Sequence, residues 1–296
     1  MWSHEREMHG GSLMLEVEPF FEIARRYRVV FFDAYGVLKN ATGTIPGALD
    51  AIRRLQSVGV DCYVVSNDAS RSPEKMVAAY VDPVHGKLID AEKNISSGML
   101  ASEFLSAKVK PGGHVAYLGK PASAHYIETA GLTPVPLSEC VGRDDLEALV
   151  FLDDEGFDWF RDVNLAVNLL RRANIPVVVA NADLTYPVRD GEVALAVGSL
   201  ANMVQAAVAK TFVCFGKPDV QIFSFTYARV RAAHAGITKR DVLMVGDTLH
   251  TDVLGANKFG LDTVLVLSGN TQRHAAESLI ATSGIIPTYI CDAIST

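Results

Sequence analysis

Short β-branched and aromatic runs alternate along this chain with stretches whose apolar residues recur at spacings of three and four, beginning near Tyr27. Runs such as Val29-Val30-Phe31-Phe32, Val177-Val178-Val179 and Val264-Leu265-Val266-Leu267 are apolar at every position. They predict strands buried on both faces. Such strands separated by amphipathic helices are the pattern of a parallel sheet covered by helices, hence an α/β fold. The opening unit reads as a strand over 28–32, a helix marked by Ala48, Leu49, Ile52 and Leu55, and a strand over 60–65. A later unit repeats it, with a strand over 242–245, a helix through Val253-Leu254-Gly255-Ala256 and a strand over 263–267.

Between these units lies a second α/β stretch, with strands expected at 114–118, 149–152 and 177–180 and a helix carrying Val163, Ala166, Val167 and Leu170. The expected organisation is a core domain of residues 19–98 and 200–296, an inserted domain of 99–199, and an N-terminal extension of 1–18. Gly98 and Gly198 are the expected hinge points.

Composition narrows the function. Residues are 49% hydrophobic, and 27 Lys and Arg stand against 34 Asp and Glu, for a net charge of -7. No basic run offers a footprint for a phosphate backbone, which argues against nucleic-acid binding. The apolar runs are strand-sized, well short of the roughly 18 residues that a membrane span needs. The opening residues, charged on both signs, lack the apolar stretch of a secretion signal, so a cytoplasmic setting is expected. Cys62, Cys140, Cys214 and Cys291 are too widely spaced for a metal or redox motif and are expected to be reduced core residues. Asp153-Asp154-Glu155 with Asp158 is expected to form a solvated loop, or else to face a cationic partner.

Polar groups cluster where strands should end. Asp33 follows an apolar strand and precedes Gly36, which permits a sharp turn. Ser66-Asn67-Asp68 and Gly246-Asp247 end two further strands, and ligands of open α/β sheets gather at such carboxyl ends. Asp252 lies five positions after Asp247, and Lys217 sits in Phe215-Gly216-Lys217-Pro218, with Pro218 suited to a first helical turn. Carboxylates gathered beside Asp33 would repel one another unless a hard cation neutralised them, and oxygen ligands suit Mg²⁺.

In order, Asp33-Ala34-Tyr35-Gly36-Val37, Val65-Ser66-Asn67, Gly216-Lys217-Pro218 and Gly246-Asp247-Thr248-Leu249-His250-Thr251-Asp252 resemble the four motifs of the haloacid dehalogenase-like superfamily. The insertion lies between motifs two and three. The strings Ser66–Pro73, Ser96-Ser97-Gly98-Met99 and Asn181–Pro187 are similar to the branch of 4-nitrophenyl phosphate, sugar-phosphate and pyridoxal-phosphate phosphatases.

The resemblance implies a Rossmann-like core with an α/β cap, and a Mg²⁺-dependent phosphatase acting on a small phosphorylated metabolite. It implies Asp33 as nucleophile, with Mg²⁺ held by Asp33, Asp247 and the backbone carbonyl of Tyr35. Lys217 and Ser66 would bind the phosphoryl group. Asp252 would ligate the metal or orient Lys217 or bound water. Asn67 and Arg71 would orient substrate or insert, with turn hydrogen bonding and a solvated guanidinium as the other reading. Asn181 and Asp183 would serve as a lid that selects the leaving group, or simply form a turn. Relatives of this kind often pair through the insert, so a homodimer is expected.

Tyr35 departs from the pattern, because most phosphatases of the superfamily carry there an aspartate that protonates the leaving oxygen and activates water. Such help is worth about 10²–10⁴-fold. A phenol donates a proton at neutral pH but is a poor base, so substrates with good leaving groups, aryl or acyl phosphates, are expected. Asp-x-Tyr-Gly also resembles the superfamily's 2-haloacid dehalogenases, which use no metal. A non-catalytic phospholigand-binding protein is the third reading.

Overall fold

The computed structural model describes residues 17–189 and 192–295; most of the expected N-terminal extension, residues 1–16, lies outside the described residues. Two parallel sheets organise the chain. The larger has six strands in the order Tyr289–Cys291, Asp262–Val266, Val242–Gly246, Val29–Phe32, Asp61–Ser66, Asn94–Ser96. Every neighbouring pair in it is parallel. From Val29–Phe32 the chain builds outward to Asp61–Ser66 on one side and returns to Val242–Gly246 on the other. That reversal opens a crevice at the carboxyl ends of these strands.

Both faces of this sheet are covered, which is why its strands are apolar throughout. Val30 and Phe32 pack with Ile52, Leu55, Val64 and Val245 on one face, while Val29 and Phe31 pack with Tyr63, Phe223 and Met244 on the other. The helix Ala48–Ser57 buries Ala48, Ile52 and Leu55 of the positions that predicted it, together with Ala51, while Leu49 is half-buried.

The smaller sheet has five parallel strands in the order Val213–Cys214, Val177–Val179, Leu146–Phe151, His114–Leu118, Thr133–Pro136. Helices Trp159–Arg172 and Val197–Val208 cover one of its faces, packing Ala166 and Leu170, Leu200 and Val204 against Leu149 and Phe151. Helix Val197–Val208 and strand Val213–Cys214 therefore belong to this sheet, and the expected return to the core at residue 200 comes about fifteen residues too early. The two glycines expected as hinges, Gly98 and Gly198, lie in the first turn of their helices, where a side chain would collide with the Tyr126 ring and with the backbone of Ala182 and Asp183. Both glycines serve close packing.

An antiparallel hairpin, Thr185–Arg189 with Glu192–Leu195, leaves the smaller sheet and lies against Lys39–Asn40 of the core. Cys62, Cys140 and Cys291 are buried and free as expected, whereas free Cys214 is exposed on its edge strand. No described helix is long and apolar enough to cross a membrane.

Candidate active site

Three strand ends and one loop deliver the site. Asp33 follows Val29–Phe32, and its amide donates to the Val245 carbonyl at 2.8 Å, so its side chain leaves the sheet at the crevice. Gly36 has φ +80°, and any side chain there would collide with the Asp247 carboxylate; only glycine meets both demands. Ser66 ends Asp61–Ser66, and its oxygen accepts the Asp68 amide at 3.1 Å, which leaves the hydroxyl proton free to donate. Asp247 follows Val242–Gly246, held by the Asn270 amide at 2.6 Å and the Thr248 hydroxyl at 3.0 Å. Asp252 comes from a wide π turn, Leu249–Val253, that precedes the helix Leu254–Phe259, and it accepts the Thr248 amide at 3.1 Å.

Lys217 is 1% exposed, with Nζ 2.5 Å from Asp33 Oδ1 and 2.8 Å from Asp252 Oδ1. Asn67 fixes its backbone: the Lys217 amide donates to Asn67 Oδ1 at 2.7 Å, and Asn67 Nδ2 donates to the Lys217 carbonyl and to Asp183 Oδ1, each at 2.9 Å. Asn67 is thereby engaged in joining three segments, and of its expected roles the bond to Asp183 fits the orienting of the insert. Pro218 follows a cis peptide bond and precedes the N-cap Asp219, so it stands outside the helix Val220–Ala233 in whose first turn it was expected.

Asp33, Asp247 and Asp252 each bring an oxygen within 4.8 Å of the others. With one lysine among them the ionised group carries a net charge of -2. Burial pushes the Asp33 carboxyl well above the usual carboxylate range; Lys217 opposes this and Asp252 and Asp247 add to it. Burial and then Asp252 push Asp247 up to about 7. For Lys217, burial favours the neutral form, but Asp252, Asp33 and Asp183 outweigh it and hold the ammonium charged.

Above this floor lies a cavity of about 430 Å³ between the two sheets, lined by Asp33, Tyr35, Ser66, Arg71, Asn181 and Asp183 among others. The Tyr35 ring meets Tyr186 of the hairpin at 5.8 Å between centroids, and Lys39 Nζ lies 4.3 Å from its centre. Burial, then the nearby Asp68 carboxylate, raise the Tyr35 phenol above its ordinary range, so it stays protonated. Arg71 is exposed, with Nε 3.3 Å from Ser70 Oγ. Asn181 Oδ1 accepts the Asp183 amide at 2.9 Å, the turn chemistry its spacing allowed, while Asp183 reaches across to Asn67.

The solvated loop expected at 153–158 is corrected in part. Asp153 and Asp154 are buried and line the cavity, because strand Leu146–Phe151 ends facing the core; Glu155 remains exposed, and Asp158 caps helix Trp159–Arg172. Thr248 and Asn270, which hold Asp247, and Lys120 and Tyr186 were missed. Each is an ordinary polar residue in its own stretch of sequence, and only the fold brings it to the cleft.

Burial of these carboxyls gives stability a distinctive pH dependence when no cation is bound. Asp247 at about 7, and Asp183 at about 6 through burial, bind protons more tightly than the unfolded chain does. The stability they contribute is complete below the unfolded value of about 4 and is lost as pH rises through the folded values; each tenfold change in proton affinity is worth about 1.4 kcal/mol. Protein in EDTA is therefore expected to lose thermal stability from mildly acidic to neutral pH, and Mg²⁺ to restore more of it as pH rises. Melting curves with and without Mg²⁺ check this; a Mg²⁺ effect that does not change with pH would contradict it.

Residues 30–133 match the family described as haloacid dehalogenase-like hydrolase, and residues 214–296 match a HAD-hydrolase-like family. A possible sugar phosphatase from Cytophaga hutchinsonii has a solved structure that is 46% identical to this chain, with a TM-score of 0.87, covering 95% of this chain and 99% of that one. The glycerol phosphate phosphatase of Mycobacterium tuberculosis, solved in complex with magnesium, is 26% identical with a TM-score of 0.72, covering 94% of this chain and 78% of that one. Human chronophin is 28% identical over 283 residues, 93% of each chain. The ordered strand ends, the buried lysine among carboxylates and a relative of 46% identity along almost the full length of both chains place the protein in a family: it belongs to the haloacid dehalogenase-like hydrolases.

Proposed function

We propose that the protein is a Mg²⁺-dependent phosphatase that hydrolyses a small phosphorylated metabolite through an aspartyl phosphate on Asp33. The observation that carries this reading is the buried group of Asp33, Asp247, Asp252 and Lys217, which reaches the cavity between the two sheets through Asp33. Hard oxygen donors with a net charge of -2 fit a hard dication. Asp33, Asp247 and the Tyr35 carbonyl would hold it, and Asp252, in contact with Lys217, would keep that lysine in place. When bound, Mg²⁺ neutralises this charge and polarises the phosphoryl oxygens.

The chain's own groups then divide the work. Asp33 attacks phosphorus, and the bond to the leaving oxygen breaks. Lys217 and the Ser66 hydroxyl stabilise the phosphoryl oxygens, because phosphoryl transfer depends mainly on positioning and electrostatics. Tyr35, protonated and facing the cavity, donates its proton to the leaving oxygen. Water then attacks the aspartyl phosphate and releases phosphate, its proton passing to the Tyr35 phenolate where Tyr35 has given up its own and otherwise to the departing phosphate. The hairpin carrying Tyr186 walls one side of the cavity and limits access of other water. The three buried carboxylates weigh against the dehalogenase reading, since they would repel a haloacid's carboxylate. The magnesium-bound glycerol phosphate phosphatase supports the metal. Pairing through the insert belongs to the same reading, and Leu184, Val193, Leu195 and Met203 are large apolar side chains left exposed there.

The test is phosphate release from a series of aryl and alkyl phosphates in Mg²⁺ and in EDTA. Release is expected only with Mg²⁺, and rates should fall steeply as the leaving group becomes more basic. Tyr35→Asp should raise alkyl phosphate turnover by about 10²-fold, the low end of general acid–base contributions. Rates indifferent to the leaving group would contradict the role given to Tyr35.

A further inference from the structure

Asp153 and Asp154 face the same cavity from the smaller sheet, yet the chemistry above makes no use of them. Asp153 Oδ1 accepts the Asp154 amide at 3.0 Å, while Oδ2 is buried with no hydrogen-bond partner. The residue is 7% exposed. Lys120 Nζ stands 3.9 Å from that oxygen and sits instead 2.8 Å from Glu155. Asp154 is 8% exposed and accepts the Tyr186 hydroxyl at 3.1 Å, and the Tyr186 ring lies against Tyr35.

The placement is built into the backbone. A side chain at Gly119 would collide with Ser123 Oγ, and one at Gly156 with the Lys120 backbone, so the loops around 119 and 153–156 interlock. Buried carboxylate oxygens are normally hydrogen-bonded or paired. Burial, opposed by Lys120, brings Asp153 to about 6, so it is mostly ionised at neutral pH. Three acidic side chains against Lys120 leave this side of the cavity at a net charge of -2. A neutral hydroxyl would satisfy the free oxygen but not the charge, whereas an ammonium group satisfies both.

We propose that Asp153 and Asp154 form the leaving-group subsite and select phosphomonoesters whose alcohol or phenol carries a protonated amine. This rests on the phosphatase reading above. A positive charge on the leaving group also makes its oxygen more acidic, which suits a site whose proton donor is Tyr35.

The test compares kcat/KM, with Mg²⁺, for tyramine phosphate and para-ethylphenyl phosphate, phenyl esters of similar shape that differ in the amine, with p-nitrophenyl phosphate alongside. Wild type should prefer the amine by at least about tenfold, the size of one hydrogen bond to a charged group. Asp153→Asn should remove most of that ratio, and Lys120→Met, which deletes the competing cation, should enlarge it. The ratio is taken on one preparation, so it does not depend on how much of a variant folds. Turnover of p-nitrophenyl phosphate without an amine preference, or a preference that survives Asp153→Asn, overturns the subsite and leaves the phosphatase reading standing. No release from any of the three esters overturns both.

Discussion

Asp33→Asn is expected to lower phosphate release by about 10⁴–10⁶-fold, the range seen when a catalytic nucleophile is removed. The amide keeps the shape of the carboxylate but cannot attack phosphorus, and it takes one charge from the cation site. The same change should not unfold the protein. Asp33 is buried beside Asp247 and Asp252, and removing its charge relieves repulsion while Lys217 keeps its contact with Asp252 at 2.8 Å. In EDTA at neutral pH the variant should melt at or above the wild-type temperature, and its stabilisation by Mg²⁺ should shrink. Parallel phosphate-release and melting measurements check both halves. A variant that is inactive only because it is unfolded would refute this account of the site's electrostatics.

Lys217→Met should be the more damaging change to stability. It leaves three buried carboxylates without the ammonium that now lies within 2.8 Å of two of them. Breaking a buried ion pair from one side costs about 3–5 kcal/mol, because the partner's charge is left uncompensated. In the proposed mechanism Lys217 also stabilises the charge of the reacting phosphoryl group, so turnover should fall by about 10²–10³-fold even in the folded fraction. Urea unfolding in EDTA should show the loss at neutral pH and a partial recovery in mild acid, where the carboxyls take up protons. Unchanged urea stability would mean that solvent, rather than Lys217, balances these carboxylates.

The positions of the polar groups at the strand ends were legible in the sequence because they depend on local facts, while their proposed roles came from the family resemblance. A strand apolar on both faces must end in a polar residue where the sheet stops, and Asp33, Ser66 and Asp247 stand at three such ends. The insert was harder to read. Its final strand, Val213–Cys214, is two residues long and exposed, and the amphipathic helix Val197–Val208 fits either sheet, so nothing local marks the return to the core. Asp153 and Asp154 resembled any solvated acidic run; their burial comes from the loop at Gly119 and from Tyr186, which are far away in sequence. Asn67 was placed at a strand end with a role toward substrate or insert left open, and its partners were not legible because its ties to Lys217 and Asp183 join segments more than a hundred residues apart.

The central claim is that phosphoryl transfer passes through Asp33. The most direct test is to quench the Mg²⁺-loaded enzyme with acid while it turns over p-nitrophenyl phosphate, and to map its peptides by mass spectrometry. A phosphoryl group on the peptide containing Asp33, absent from an EDTA control and from Asp33→Asn, is the predicted result. Steady phosphate release with no phosphoryl group on that peptide, or with one on another residue, would contradict it.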